Sequence, residues 1–261
     1  MIASTSNKQV RRVVNLREKA KARREENVYV AEGLRMCREF APSEVEILYV
    51  TETFAREQKA WLDGYRWELV SDEVMNHMAD TKTPQGVFAI ARQKGYTLAD
   101  VLPKPGNSTP ACLMVLETIQ DPGNLGTILR AGEGAGVTGV VMNRASADIY
   151  SPKVIRSTMG SILRVPFVYV ADLHEAMRQM KAAGVQLFAA HLKGANNYDA
   201  EDYTGNVGFL IGNEASGLMD ETADLADRRI KIPMAGKVES LNAAVAASVL
   251  MFEAARQRRN S

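Results

Sequence analysis

The second half of the chain contains a series of short, unbroken apolar runs separated by segments with helical periodicity. The runs lie at 112–116, 139–142, 167–170, 186–190, 208–211 and 229–232. Helical patterns lie at about 124–135, 172–183 and 240–258. Strands that are apolar on both faces are typical of parallel sheets covered by helices on both sides. The pattern therefore predicts an α/β fold with a mostly parallel sheet, and such sheets bind ligands at the carboxyl ends of their strands.

A stretch rich in proline and glycine divides the chain into two parts. Residues 94–110 contain three prolines and two glycines between two apolar runs, which is typical of a linker. Before it, strand-like runs at 45–50, 67–70 and 86–91 alternate with helical patterns at about 7–26, 53–62 and 72–79. We therefore predict a smaller α/β domain at 1–93, a linker at 94–110 and a larger domain at 111–261.

Composition excludes several classes of protein. Hydrophobic residues make up 46% and charged residues 24% of the chain, as in ordinary globular proteins. No apolar run approaches the roughly 18 residues of a membrane span, and the polar start lacks the apolar core of a signal peptide. Cys37 and Cys112 follow no metal spacing. We therefore expect reduced thiols, no metal site and a cytoplasmic protein.

Basic residues are concentrated near the two ends of the chain, although the net charge is only +1. One cluster comprises Lys8, Arg11, Arg12, Arg17, Lys19, Lys21, Arg23 and Arg24, and the other comprises Arg256, Arg258 and Arg259. Such clusters can neutralise the phosphates of a nucleic acid, although a solvated helix surface has the same composition. The density of the first cluster favours a nucleic-acid partner.

A turn and a helix start follow the first strand of the larger domain. We predict Asn124 as the N-cap residue after Pro122 and Gly123, because its side-chain oxygen can accept a free backbone N–H. One apolar face of the helix is formed by Leu125, Ile128, Leu129 and Gly132. Arg130 lies off that face and could pair with Glu133. These residues alone allow two interpretations, a capped surface helix or a site at the ligand-binding edge of the sheet.

Two later segments have the same ambiguity. The run at 208–211 continues into a loop bounded by glycines that contains Glu214, and glycine lets the backbone approach a ligand closely. The last helix is predicted to begin with Ser240 as its N-cap and to continue as an alanine-rich stretch.

The glycines at 132–136 lie late in a helix, so they do not form a dinucleotide-binding turn, and no P-loop sequence is present.

Taken in order, these three segments resemble the signature motifs of the SpoU (TrmH) family of RNA ribose methyltransferases, which use S-adenosylmethionine. The resemblance covers about 110–261, including 150–160, and the segment 29–33 is similar to the family's N-terminal substrate-binding domain. It implies a deep trefoil knot in the catalytic domain and a homodimer. It also implies that S-adenosylmethionine contacts Gly212, Ile232 and Leu241. The positions tied to activity are then Asn124, Arg130, Glu214, Ser240 and Asn242.

Methyl transfer to a ribose hydroxyl requires alignment of the hydroxyl with the methyl donor and loss of the hydroxyl proton. The three histidines lie outside the motifs, so we predict that His77, His174 and His191 are surface or core residues rather than bases. Arg130 is a poor base because the pKa of a guanidinium group is above about 12. We therefore expect Arg130 to stabilise the developing alkoxide and to bind a neighbouring phosphate, while the proton leaves to phosphate or water.

The two-domain layout favours ribosomal RNA as the substrate, and large-subunit RNA in particular. Small transfer-RNA enzymes of the family typically lack an N-terminal domain of this kind. We expect Arg11, Arg12 and Arg156 to bind the RNA. The alternatives are a transfer-RNA ribose methyltransferase, a non-catalytic RNA-binding assembly factor, and a nucleotide-binding α/β module with no role in RNA. The last of these would leave the basic N-terminal cluster unexplained.

Overall fold

The computed structural model describes residues 1–104, 106, 109–192 and 194–260. The helices are α1 (Lys8–Glu18), α2 (Ala20–Glu26), α3 (Leu34–Cys37), α4 (Glu52–Glu57), α5 (Asp72–Met78), α6 (Leu98–Val101), α7 (Pro122–Ala135), α8 (Pro152–Thr158), α9 (Leu173–Ala182), α10 (Asp220–Leu225) and α11 (Ala243–Arg259). The strands are β1 (Val28–Glu32), β2 (Val45–Val50), β3 (Trp67–Leu69), β4 (Val87–Arg92), β5 (Cys112–Leu116), β6 (Gly139–Asn143), β7 (Phe167–Val170), β8 (Gln186–Ala190), β9 (Asn196–Asn197), β10 (Val207–Ile211) and β11 (Arg228–Lys231). Among these helices, none combines the length and apolar character needed to cross a membrane.

The chain forms two compact units. Unit 1 comprises Met1–Lys94 and Asp148–Gly160, and unit 2 comprises the rest of the described chain. The sequence-based division assigned 148–160 to the larger domain, but this segment packs with unit 1, so the chain passes between the units three times. The boundaries drawn at 1–93, 94–110 and 111–261 stay a prediction. Part of the expected linker forms α6, and residues 105, 107 and 108 lie outside the described part of the chain.

Unit 1 is built on a four-stranded sheet with the strand order β1-β4-β2-β3. β4 runs antiparallel to β1 and β2, whereas β2 and β3 are parallel. Helix α1 buries Val10, Val13 and Leu16 in the core of this unit. β2, β3 and β4 confirm the three strand-like runs of the first half. The helical pattern at about 7–26 is confirmed, although the extended backbone of Lys19 divides it into α1 and α2.

Strand β1 was not predicted, because only Asn27 separates it from the preceding helix. Asn27 ends α2 in the left-handed conformation, with φ of 54°. Asparagine tolerates this region better than most residues, because its short polar side chain can hydrogen-bond locally. The turn at a single residue explains how a helix can be followed at once by a strand.

A buried ion pair holds the segment 148–160 within unit 1. The Arg23 side chain is 4% exposed, and its Nε and Nη2 donate to Oδ2 of Asp148 at 3.0 and 2.6 Å. Its Nη1 donates to the carbonyl oxygens of Leu16 and Arg17 at 2.5 and 2.9 Å. One guanidinium group therefore joins the end of α1 to a segment more than a hundred residues later in the chain. Because Arg23 is buried and paired with Asp148, it is not available to bind a phosphate of a nucleic acid.

Unit 2 contains a seven-stranded, fully parallel sheet with the order β7-β6-β5-β10-β8-β11-β9. This confirms the predicted parallel α/β class. The central strands β5 and β10 are buried along their whole length, which explains their unbroken apolar sequences. From β5 the chain moves outward to β6 and β7, whereas from β10 it moves towards the opposite edge at β11. The loops that leave β5 and β10 therefore diverge, and such a switch point opens a crevice for a ligand.

The Arg23–Asp148 pair leads to a prediction about stability. Replacing Asp148 by alanine leaves the Arg23 charge buried without its carboxylate, so we expect Asp148→Ala to destabilise unit 1 by about 3 kcal/mol. The change would be measured as a lower urea midpoint in equilibrium unfolding. Glu25→Ala is the matched control, because it breaks an exposed pair in which Lys21 Nζ lies 3.7 Å from Glu25 Oε1. The control should cost less than about 0.5 kcal/mol, and equal losses for both variants would contradict the assignment.

Candidate active site

Three loops meet at the carboxyl edge of the sheet in unit 2. The first loop, 117–121, joins β5 to α7, whose first turn contains Asn124, and the second loop, 212–219, joins β10 to α10. The third loop, 232–242, joins β11 to α11. Each contains one of the three segments singled out in the sequence. Because β5 and β10 are neighbours in the sheet, the first two loops start side by side although they are about 95 residues apart.

The Glu214 carboxylate holds the second loop against the first. It accepts hydrogen bonds from the backbone N–H groups of Gln120 and Asp121, at 3.2 and 3.1 Å, and from Nδ2 of Asn124 at 2.9 Å. Partial burial alone would raise the pKa of Glu214. The hydrogen bonds from Asn124 and from the backbone outweigh burial, so the pKa lies below its ordinary value. Glu214 is therefore held as an ionised hydrogen-bond acceptor.

A second amide connects the third loop to the same point. Asn242 Nδ2 donates to Oδ1 of Asn124 at 2.9 Å. Its own Oδ1 accepts from the N–H groups of Ala244 and Val245, at 2.9 and 3.2 Å, and thereby caps α11. Glu214, Asn124 and Asn242 thus form one hydrogen-bonded chain that joins all three loops.

The N-caps differ from those predicted. Asp121 caps α7 by accepting from the N–H of Asn124 at 2.8 Å, so Asn124 lies in the first turn and is not the cap. The helix begins earlier because Pro122 needs no hydrogen-bond acceptor at the first helical position. Ser240 likewise does not cap α11, since Asn242 takes that place. The Asp121 cap places Asn124 in the first turn of α7, whereas Asn242 is itself the cap of α11. In both helices the amide side chain is thereby positioned to join the hydrogen-bonded network.

Thr118 fixes the start of the first loop in an unusual conformation. Its φ is 58°, in the left-handed region that residues other than glycine rarely adopt. The backbone N–H of Thr118 donates to Oδ1 of Asn143 at 2.9 Å, and its carbonyl accepts from Nδ2 of Asn213 at 2.9 Å. Asn143 at the end of β6 and Asn213 after β10 therefore hold Thr118 from both sides and offset the strain of this conformation.

The second loop closes so tightly that only glycine fits at its first position. A Cβ on Gly212 would lie 2.2 Å from the backbone carbon of Gly217 and 2.2 Å from the nitrogen of Leu218. Asn213 and Gly217 exchange two backbone hydrogen bonds, of 3.0 and 2.9 Å, and Gly217 has a φ of 71°. This loop is a rigid turn whose backbone passes directly along a cavity.

That cavity has a volume of about 230 Å³ and lies between the second and third loops and the end of β8. Its walls include the three residues expected to contact a cofactor, Gly212, Ile232 and Leu241, together with Glu214 and Ser240. Asn124 and Asn242 contribute to the site through hydrogen bonds behind these walls. The cavity therefore brings together predicted residues from the second and third loops.

His191 also lines the cavity, although no sequence motif indicates it. The expectation for it is a surface or core residue. It directly follows β8, which lies next to β10 in the sheet, so the strand order places it beside the second loop. The position of His191 directly after a predicted strand could have indicated it as a site residue, but only if the order of the strands in the sheet were known. No group of three or more His, Cys, Asp or Glu residues suited to a metal ion is found in the part of the chain described above.

Arg130 is an exposed residue of α7, six positions after Asn124. The expected pair with Glu133 is wrong: Glu133 accepts instead from Arg164 and from the Ser161 hydroxyl, the latter at 2.5 Å. Within the described residues Arg130 has no hydrogen bond or ion pair. A guanidinium group without a protein partner can bind an anionic ligand without first breaking a contact.

The three arginines expected to bind RNA belong to unit 1 and differ in their surroundings. Arg11 is exposed on α1. Arg12 donates to Glu26 and Glu46, each at 2.6 Å, and Arg156 lies 2.6 Å from a carboxylate oxygen of Asp80. The carboxylates offset much of the charge of Arg12 and Arg156. In unit 2, Arg258 of the C-terminal basic cluster is also engaged, because it donates to four backbone carbonyls.

Family models, curated relatives and solved structures all show similarity of this chain to RNA methyltransferases. Residues 111–252 match the model of the SpoU rRNA Methylase family, and residues 7–89 match the MRM3-like substrate binding domain. The chain is 29% identical to the 23S rRNA (guanosine(2553)-2′-O)-methyltransferase RlmP of Bacillus subtilis, over 96% of this chain and 97% of that protein. It is 30% identical to the 23S rRNA (guanosine-2′-O-)-methyltransferase RlmB of Bordetella pertussis, over 84% and 91%. The crystal structure of an AdoMet-bound rRNA methyltransferase from Sinorhizobium meliloti matches with a TM-score of 0.86 at 32% identity, covering 98% of this chain and 97% of that one.

The close approach at Gly212 leads to a second prediction. In Gly212→Ala the added methyl group meets backbone atoms, which cannot rotate away, so we expect unit 2 to lose about 2 kcal/mol or more of stability. Faster hydrogen exchange of the amides at 213–218 should accompany the loss. Gly205→Ala is the control, because no atom lies within 4 Å of its Cβ position. Matching stability and exchange in the two variants would show that the loop is not closed as described.

Proposed function

The chain belongs to the SpoU rRNA methylase family, and we propose that it transfers a methyl group from S-adenosylmethionine to a ribose 2′-hydroxyl of large-subunit ribosomal RNA. The observation that carries this proposal is the hydrogen-bonded chain of Glu214, Asn124 and Asn242, which joins the three loops beside the cavity. A measurement of S-adenosylmethionine binding separates this proposal from a non-catalytic assembly factor. The trefoil knot implied by the family stays a prediction.

The cavity walls suit S-adenosylmethionine. Apolar side chains such as Ile211, Ile232 and Leu241 can cover the adenine ring, and the exposed backbone beside Gly212 can hydrogen-bond its polar edge. Glu239 at the mouth supplies a carboxylate for a cationic ligand. Gly212, Ile232 and Leu241 are therefore the residues proposed to contact the cofactor.

The bound cofactor supplies an electrophilic methyl group, and the protein supplies alignment and charge. Glu214 already accepts three hydrogen bonds and has a lowered pKa, so it is a weak base. Its role is to fix Asn124 and the start of α7. The proposed role of Arg130, an exposed arginine of α7 that is not part of the cavity wall, is to stabilise the developing alkoxide and to bind a neighbouring phosphate. The hydroxyl proton leaves to phosphate or water, and Ser240 and Asn242 shape the floor of the site.

Ribosomal RNA is preferred over transfer RNA as the substrate because unit 1 matches a substrate-binding domain along most of its length. The relatives RlmP and RlmB carry 23S rRNA in their names. A ribosomal substrate suits a cytoplasmic protein with two buried, reduced cysteines.

A homodimer is part of the same proposal. Val245 and Phe252 of α11 are 49% and 47% exposed. They are seven positions apart, which is about two helical turns, so they project from one side of the helix. A second copy of the chain is the proposed partner for this apolar face.

The family function is tested by mapping ribose methylation in total RNA from cells with and without the gene. We expect one 2′-O-methyl group in large-subunit ribosomal RNA to disappear with the gene. Loss of a methyl group from transfer RNA would favour the alternative substrate, and an unchanged map would contradict the proposal.

Arg130→Ala provides a test of the mechanism. Removing the cation should lower the rate of methyl transfer by about 10²–10³-fold, as for the loss of a group that stabilises transition-state charge. The dissociation constant for S-adenosylmethionine, measured by calorimetry, should stay within about twofold. Arg178→Ala is the control, because Arg178 is an exposed arginine on another helix of unit 2 and pairs with Glu175 on the same helix. Full activity of Arg130→Ala would remove Arg130 from the mechanism.

Arg11→Gln provides a test of RNA binding. If Arg11 contacts one phosphate, the slope of log K against log salt should become less negative by about 0.7–0.9. Lys59→Gln changes a comparable exposed charge outside the basic cluster and should leave the slope unchanged. Arg12 is less suitable for this test, because its removal also leaves Glu26 and Glu46 without their partner. Equal slopes for Arg11→Gln and the unmodified protein would argue against phosphate binding by Arg11.

A further inference from the structure

A buried carboxylate lies beneath the second loop and has no part in the mechanism above. Glu117 directly follows β5, and its side chain is 3% exposed. One carboxylate oxygen accepts from the backbone N–H of Met219 at 2.8 Å, and the other accepts from the Thr222 hydroxyl. Both donors belong to the first turn of α10 or the residue before it. Glu117 therefore holds the end of the second loop, where the loop enters the helix.

The hydrogen bond beyond Thr222 has a defined direction. Thr222 is fully buried, and its single hydroxyl proton is donated to Glu117. Its oxygen also lies 2.8 Å from Nε2 of His174. Because the hydroxyl has no second proton to give, Nε2 of His174 must be the donor in this contact. His174 thus orients Thr222 towards Glu117, although the sequence suggested only a surface or core role for it.

The anchored end of the loop is next to the residues that form the cavity wall. Met219 directly follows Gly217 and Leu218, and both of these line the cavity. The beginning of the same loop is held separately, by Asn213 on Thr118 and by Glu214 on the first loop. The backbone of Gly212 packs against that of Gly217 and Leu218, so Met219 directly follows the contact that joins the two ends of the loop.

We infer that Glu117, through Met219 and Thr222, is a positioning residue that sets the affinity of the second loop for S-adenosylmethionine. This inference rests on the proposed function, because that function identifies the ligand of the cavity. Glu117 does not line the cavity and acts only through the loop backbone. Its loss should therefore change cofactor binding and leave the chemical step intact once the cofactor is bound.

The direct test is Glu117→Gln, which keeps the shape of the side chain. The amide oxygen of glutamine can still accept from the Met219 N–H, but its NH2 group then faces the Thr222 hydroxyl. The hydroxyl can no longer donate in that direction, so its hydrogen bond to a carboxylate is lost. We expect the dissociation constant for S-adenosylmethionine, measured by calorimetry on the full-length protein, to rise about tenfold, the effect of one hydrogen bond to a carboxylate. The KM for the cofactor should rise in parallel, and kcat at saturating cofactor should stay within about twofold.

Variants of Thr222 distinguish a specific effect on cofactor binding from a general loss of folding. Thr222→Val removes the hydroxyl at constant size and should weaken cofactor binding in the same way. Thr222→Ser keeps the hydroxyl and should bind as the unmodified protein does. Asp227→Asn is the matched control: Asp227 Oδ2 also accepts a backbone N–H, that of Leu187 at 2.8 Å, but at the start of β8 rather than beneath the loop. It should leave cofactor affinity unchanged.

The possible outcomes separate this inference from the proposed function. If the unmodified protein binds S-adenosylmethionine and Glu117→Gln and Thr222→Val bind it equally well, the inference is overturned while the proposed function stands. The inference is also overturned if these variants lower the melting temperature and kcat without changing cofactor affinity. If the unmodified protein fails to bind S-adenosylmethionine, the proposed function itself is overturned.

Discussion

The Glu214 carboxylate is the contact on which the site depends. It joins loops that are about 90 residues apart in sequence, and it does so through three donors supplied by one turn of the chain. Each loop alone would lose considerable conformational entropy on being fixed. The parallel sheet reduces this cost, because β5 and β10 already place the two loops side by side. Asn124 then extends the connection to the third loop through Asn242.

The sequence allowed the frame of the site to be predicted but not its hydrogen bonds. Unbroken apolar runs at β5 and β10 predict buried parallel strands, because burial on both faces depends only on local composition. The choice of cap depends on which residue has the free oxygen in the right place, which is why Asp121 and Asn242 replaced the expected Asn124 and Ser240. Hydrogen-bond partners across the sheet follow from strand order, and the strand order is set by long-range packing.

The basic N-terminal cluster shows that the sequence also does not reveal which charges are paired within the protein. Counting charges treats every arginine as available to phosphate, but Arg23 is buried against Asp148 and Arg12 is held by two carboxylates. The partner of Arg23 lies in a segment that passes from the larger half of the sequence into unit 1. No local pattern could indicate that contact, since it depends on where the chain returns after β6. The charge available to a ligand is smaller than the sequence suggests, and it is concentrated on residues such as Arg11.

The lowered pKa of Glu214 also limits how the site can respond to pH. A carboxylate with a folded-state pKa below its ordinary value stabilises the folded arrangement above that ordinary value, and the contribution is lost only as the pH falls through the lowered pKa. Loop assembly is therefore complete well below neutrality. Because Glu214 keeps its charge near neutral pH, its hydrogen bonds to the first loop give methyl transfer no pH dependence in that range.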